Sequence, residues 1–208
     1  LVDISAVKTD TDWFDEALTS HKSAAGLIIG DNGMELLILT EHEKVKDGDL
    51  KIRFYDHTEA AGTLKKYDSN TGLAVVSVNL SDVDSSTREV ISYAELGSSK
   101  SLRSGQPVIV VGNPTGSNGS LLFGNLTSVT QTAELYDSSY NILTTDILKS
   151  SNGSGVVADW SGKIIGLLQE KTEVEGQDNT IQAYGISDVK DLIEHLSNNQ
   201  DIVYMGIM

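Results

Sequence analysis

Two stretches hold residue types that could do chemistry. The first, Leu102 to Gly116, closes on Gly112-Asn-Pro-Thr-Gly116; the second, Thr144 to Leu168, carries Asn152-Gly153-Ser154-Gly155. A serine among glycines is a candidate nucleophile. Its hydroxyl is a poor one unless a base takes its proton and an acid orients that base. Upstream of it stand His42, between Glu41 and Glu43, and Asp68, in the turn Tyr67-Asp-Ser-Asn-Thr-Gly72. The Asn152 to Gly155 loop could also present backbone N–H groups to an anion, because Gly153 can adopt positive φ.

Other chemistries fit less well. Gly112 to Gly119 is glycine-rich but lacks the Gly-Lys-Ser/Thr ending of a phosphate-binding loop. Asp82-Val-Asp84 starts like a calcium loop, yet Thr87 and Tyr93 stand where that loop needs Gly and Glu. Glu41, His42, Glu43 and His57 match no metal-ligand spacing and read as a charged edge. No metal or cofactor is expected. The chain has no cysteine, so disulfides, thiolate zinc sites and a Cys nucleophile drop out. A net charge of −15, from 30 acidic and 15 basic side chains, argues against nucleic-acid or anionic-membrane binding. It reads first as a well-solvated surface, with a cationic partner as a second reading.

The elements that would position these residues are short and β-rich. Ala25–Ile29 and Leu36–Thr40 flank the turn Gly30-Asp31-Asn32-Gly33, and Leu50–Tyr55, Thr63–Lys66 and the apolar run Leu73–Val78 follow. Residues 79 to 104 are polar and Ser-rich. Strands then resume at 107–111, 121–130, 142–146, 155–158, 163–170 and 180–185. Many short strands with Gly and Asn turns mean a sandwich or a barrel. One helix is expected over 188–199: Ser187 caps it, Asp188 and Asp191 suit its positive end, and Val189, Leu192, Ile193 and Leu196 share one face. A weaker helical turn is expected around Trp13-Phe-Asp-Glu-Ala17. No run of 18 apolar residues exists. The opening Leu1-Val-Asp-Ile4 reads as mid-strand, as in an excised fragment.

In order and spacing, several of these stretches resemble the HtrA (DegP-like) group of trypsin-fold serine proteases. Gly26-Leu-Ile-Ile29 and Leu37-Ile-Leu-Thr40 resemble the strand pair that leads into that family's His. Gly97, Leu102-Arg-Ser-Gly105 and Val110–Gly116 resemble the entry to its second barrel. Thr145-Asp146, Ser161–Gly166 and Tyr184-Gly-Ile186 bracket its nucleophile loop and final strand, and Tyr204-Met-Gly-Ile207 resembles the first strand toward a PDZ domain. The resemblance implies an all-β, trypsin-like double antiparallel β-barrel with a C-terminal α-helix. Its expected units are a first barrel at 1–80, a connection at 81–104, a second barrel at 105–187, the helix at 188–199 and the start of a linker or PDZ domain at 200–208.

Counted against the family pattern, the triad fails. The family's His stands three residues after the strand-ending Thr, and from Thr40 this lands on Glu43; His42 is one residue early, enough to face another way. The family's Asp directly precedes Leu-Ala-Val, and here Gly72 does. Asp68 reads as a turn former. Counting forward from Thr145-Asp146 puts Ser154 in the nucleophile slot; counting back from Ser161-Gly162 puts Gly153 there. With Ser154 as the equivalent, the first oxyanion donor falls at Asn152. Removing the base costs about six orders of magnitude in turnover in such a mechanism, and losing the orienting acid about four. The expectation is a non-catalytic relative that binds peptides, unfolded chains or partner proteins, for instance by strand addition. The alternative is a serine endopeptidase that uses Ser154 and His42 after a local shift. The resemblance further implies trimers and extracytoplasmic placement in a bacterial envelope, with a membrane anchor outside this segment.

Overall fold

The computed structural model describes residues 1–11, 17–136, 138–150, 153–168 and 179–202, with side chains left aside at 9–11 and 17–20. Six strands, β1 (Val2–Thr11), β2 (Ala17–Asp31), β3 (Glu35–Glu41), β4 (Asp49–Arg53), β5 (Glu59–Tyr67) and β6 (Leu73–Asn79), close into one antiparallel barrel in the order β1-β2-β3-β6-β5-β4. Six more, β7 (Pro107–Asn113), β8 (Ser120–Leu135), β9 (Ser138–Leu148), β10 (Ser154–Ala158), β11 (Ile164–Leu168) and β12 (Thr180–Gly185), close a second in the order β10-β11-β12-β9-β8-β7. Closure removes the exposed sheet edges that a flat sheet of such strands would present. The two-barrel architecture with a terminal helix is the one the sequence implied.

Each barrel has its own apolar filling. Ile4, Ile38, Ile52, Ala74 and Val76 fill the first; Val108, Val110, Leu126, Val157, Ile165 and Ile181 fill the second. A third cluster lies between them. There Leu27, Leu39, Leu73 and Val75 of the first barrel meet Ile142, Val156, Leu167 and Tyr184 of the second. This explains why β6 is buried at every position from Leu73 to Val78: one side chain points into its own barrel and the next into the seam. Burying each such side chain stabilises the fold by roughly 1.5–3 kcal/mol.

Helix α3 (Ile186–Ser197) lays Ile186, Val189, Leu192, Ile193 and Leu196 onto the same seam. It starts two residues before the expected position, directly from β12, so Gly185 and not Ser187 occupies the cap. Ser187 instead accepts the Ser99 N–H at 2.8 Å, while Ser99 Oγ accepts the Ser187 N–H at 3.1 Å. That exchange ties the helix start to the connection between barrels. At the other end Asn198 is the C-cap and Asn199 takes φ 55°, so the helix stops at Ser197, two residues before the expected 199. The connection is more structured than its polar composition implied. It holds a 3-10 turn (Leu80–Asp82), helix α2 (Ser85–Val90), the buried anchors Val83 and Thr87, and a bridge from Leu96 to Ile164. The helical turn expected at 13–17 lies, apart from Ala17, outside the described residues, as does the strand expected at 204–207.

Candidate functional site

The candidate residues sit where strands of the two barrels end side by side. Strand β3 ends at Glu41, and one turn of helix, α1 (His42–Val45), follows. Val45 is buried and anchors that turn. The main-chain N–H of His42 donates to the carbonyl of Gly72 at 2.8 Å, so the turn is fixed to the β5–β6 connection. The two positions reached by counting against the family pattern are thereby brought close to each other. They are Glu43, in α1, and Gly72, just before β6.

Each neighbouring side chain has another occupation. The His42 ring stacks on Tyr67 with centroids 3.8 Å apart and planes 3° from parallel. Glu43 pairs with Lys46 at 2.7 Å, and that hydrogen-bonded ammonium holds its carboxyl below the usual carboxylate range. Asp68 is buried and accepts from the Thr71 N–H at 2.8 Å, the Thr71 hydroxyl at 2.6 Å and the Asn70 N–H at 3.3 Å. These are the bonds of a turn former. Gly72 has φ 80°, a conformation in which an aspartate would be strained.

The nucleophile loop meets β10 at Ser154. This residue is 1% exposed, and its Oγ accepts the Ala25 N–H at 2.9 Å across the seam. Thr40 Oγ1 returns a bond to the Ala25 carbonyl at 3.0 Å, so one residue of the first barrel is held from both sides. Gly155, next along, has φ 146° and packs on Gly112: a Cβ added at Gly155 would lie 2.3 Å from the Val111 carbonyl oxygen. Gly153 is constrained in a different way. A Cβ there would come within 2.6 Å of the Pro114 carbonyl oxygen, and its N–H donates to the Ser150 carbonyl at 3.0 Å. An oxyanion hole needs such an N–H aimed at the ligand. Asn152 lies outside the described residues.

Above this loop opens a cleft of about 520 Å³, lined by His21, Lys22, Ser23, Glu43, Lys44, Asn113, Gly116 and Ser150. Lys44 reaches from α1 to the Gly153 carbonyl at 3.3 Å and lies 3.8 Å from the Glu41 carboxylate. Lys22 donates to the Glu43 carbonyl at 3.0 Å. Lys22, Lys44 and Asn113 were not singled out from the sequence. Lys44 was legible only as the neighbour of Glu43, and Lys22 and Asn113 arrive through strand pairing across long stretches of chain.

Comparison with known proteins places these features in a lineage. Residues 24–167 match the family model described as "Trypsin-like peptidase domain". The chain is 29% identical over 199 residues to the "Serine protease Do-like HtrA" of Bacillus subtilis, covering 91% of this chain and 43% of that protein. It is 27% identical over 194 residues to a "Serine protease HtrA-like" of Staphylococcus aureus, covering 88% of this chain and 24% of that one. It therefore spans less than half the length of these relatives. Among solved structures, the "HtrA-type protease AlgW with decapeptide" superimposes with a TM-score of 0.70 at 18% identity, over 95% of this chain and 64% of the other. A second form of that protease, also with decapeptide, gives 0.73 at 17% identity, over 95% and 63%. At such identities the structural likeness speaks for the fold.

Proposed function

The chain belongs to the trypsin-like peptidase domain family, and we propose that it is a non-catalytic HtrA-type member whose inter-barrel cleft binds peptides or partner proteins. The observation that carries this reading is the state of the nucleophile slot under either count. If Ser154 fills the slot, its hydroxyl is buried and engaged to the Ala25 N–H. If Gly153 fills it, there is no hydroxyl, and the Pro114 carbonyl stands where a side chain would start. The other two slots hold Glu43 and Gly72, so neither a base nor its orienting acid is supplied. Binding needs none of these. A trypsin-type cleft takes extended peptide through main-chain pairing and side-chain pockets, and the AlgW protease of the same fold is found with a decapeptide.

The relatives are bacterial, and placement outside the cytoplasm, anchored through a segment beyond this chain, goes with the reading. A trimer is the assembly that the resemblance implies.

Treatment with a fluorophosphonate probe and with unfolded casein tests it. The expected result is no covalent labelling and no cleavage. Labelling at Ser154, with cleavage that Ser154→Ala abolishes, would instead establish a serine endopeptidase in which Ser154 and His42 come together on binding substrate.

A further inference from the structure

Two adjacent residues of the second barrel, Gly153 and Ser154, are tied to the first by bonds of different kinds. Ser154 Oγ accepts the Ala25 N–H at 2.9 Å in the buried seam. The Gly153 carbonyl accepts from the Lys44 ammonium at 3.3 Å, beside the cleft that Lys44 lines. The Lys44 side chain is only 11% exposed, and its ammonium also lies 3.8 Å from the Glu41 carboxylate. A lysine so far buried keeps its charge through the groups that it is set against.

Both ends of this tie are anchored. On the first barrel, α1 is a single turn, yet its Val45 is buried, its His42 N–H donates to the Gly72 carbonyl at 2.8 Å, and Lys22 donates to its Glu43 carbonyl at 3.0 Å. On the second barrel, the Ser150 N–H donates to the Pro114 carbonyl at 3.0 Å and the Gly153 N–H to the Ser150 carbonyl at 3.0 Å. Of the two main-chain groups of Gly153, the N–H therefore stays within its own barrel and the carbonyl crosses to the other. The surrounding charges balance: Lys22, Lys44 and Lys46 stand among Glu41, Glu43 and Asp47. With no excess charge to draw in an ionic ligand, the Lys44 ammonium acts inside the fold.

We propose that Lys44 is a clasp between the barrels, a positioning residue that acts through Gly153 and locks the main chain there onto the first barrel. The bond is charge-assisted and partly shielded from water, which makes it stronger than a neutral one. It holds Gly153 with its N–H turned inward and its carbonyl engaged, so that this wall of the cleft keeps one shape. A wall already fixed loses less freedom when something docks against it. A trypsin-type triad joins its two barrels by a bond from His to Ser; here a lysine and a main-chain carbonyl join them instead. The clasp and the Ser154 tie are separate devices. Gly155 and Gly112, packed in contact, hold Ser154 in the seam whether or not Lys44 is present. The clasp exists independently of what the cleft binds, so its test needs no ligand.

Native-state hydrogen exchange, followed amide by amide by NMR, tests it, because local opening is read one N–H at a time. In Lys44→Met the Gly153 amide should exchange roughly tenfold or more faster than in the unmodified chain, the worth of one hydrogen bond to a charged group. The Ala25 amide, held by Ser154, and the ladder amides of Val110 and Val157 should keep their rates. Lys44→Arg, which can still donate to the carbonyl, should keep Gly153 near its original rate. Lys46→Met removes the same charge from the same neighbourhood without touching Gly153 and should change nothing there. Lys44→Met leaves the Glu41 carboxylate alone in a buried place; if that variant does not fold, the double variant Glu41→Gln/Lys44→Met, which strands no charge, carries the same test. An unchanged Gly153 rate overturns the clasp. So does a common acceleration of Gly153, Ala25, Val110 and Val157, which would make Lys44 a stabiliser of the whole domain, and so does an equal effect from Lys46→Met, which would make it a matter of charge alone.

Discussion

The seam beneath the cleft and the cleft itself are made by the same strand ends, yet they follow opposite rules. In the seam, Ala25, Gly112, Ser154 and Gly155 are packed to contact, the Ala25 N–H donates to Ser154 from one barrel to the other, and Thr40 holds Ala25 from within the first barrel. A few ångströms above, His21, Lys22, Glu43, Lys44 and Ser150 line open, polar space. A protease of this fold needs both regions: a rigid seam to hold its loops, and a cleft furnished with a proton acceptor. On the non-catalytic reading proposed above, only the first need is met. The contrast teaches that the two-barrel backbone is stabilised by the packing of its seam, which does not depend on what furnishes the cleft.

The comparison breaks most sharply at Gly155. Its φ of 146° is unfavourable for any L side chain, and an added Cβ would meet the Val111 carbonyl oxygen at 2.3 Å. Backbone cannot yield as a side-chain tip can. Gly155→Ala should destabilise the domain by more than about 3 kcal/mol, combining strain and overpacking, and a urea midpoint or loss of soluble protein reads it. A near-neutral result would mean that the seam is far more pliant than its contacts indicate.

Ser154→Ala comes next. An exposed nucleophile can be truncated with no effect on stability, whereas a buried hydroxyl that satisfies an N–H cannot. Removing it leaves the Ala25 N–H without its acceptor, and the expected loss is about 1–3 kcal/mol, read as a lower urea midpoint at unchanged slope. An unchanged or raised midpoint would return Ser154 to the cleft side of the comparison and revive it as a nucleophile.

The two regions also differed in how far they could be read from sequence. The seam and barrels were legible because hydrophobic runs such as Leu73–Val78 and turns such as Gly30–Gly33 act locally and leave periodic marks. Strand lengths were less so. β8 runs on to Leu135 and pairs with Ser138, well past the apolar part of the run, because ladder bonds do not require apolar side chains. The helix start was misplaced because Ser187 looked like a cap, while the strand before it passes straight into the helix at Gly185. In the cleft, residue identities could be counted but their engagements could not. That Ser154 bonds Ala25, 129 residues away, depends on the seating of one barrel on the other, and no window of sequence records it. The same holds for the meeting of Lys22, Lys44 and Asn113.

The smallest effect expected belongs to the outer wall of the first barrel, away from both regions, where pairing follows pH and not packing. Glu35 accepts from Lys65, from Ser77 Oγ at 3.0 Å and from Asn32 Nδ2 at 3.2 Å. The Lys65 hydrogen bond is the main cause that holds its carboxyl below the ordinary 4.5. A carboxylate whose folded pKa lies below its unfolded one stabilises the fold fully above the unfolded value. That contribution is lost as pH falls through the folded value. Stability should therefore be flat in this respect above about pH 5 and decline on acidification. Because Glu35 and Lys65 are both partly exposed, solvent screening keeps the effect small. Glu35→Gln should lower the urea midpoint slightly at pH 7 and make its decline toward pH 3 shallower, as read from midpoints across that range. The same substitution should leave peptide affinity in the cleft unchanged, because Glu35 is not among the residues that line it; a parallel loss of affinity would mean that wall and cleft are coupled through β3, which carries Glu35 at one end and Glu41 at the other.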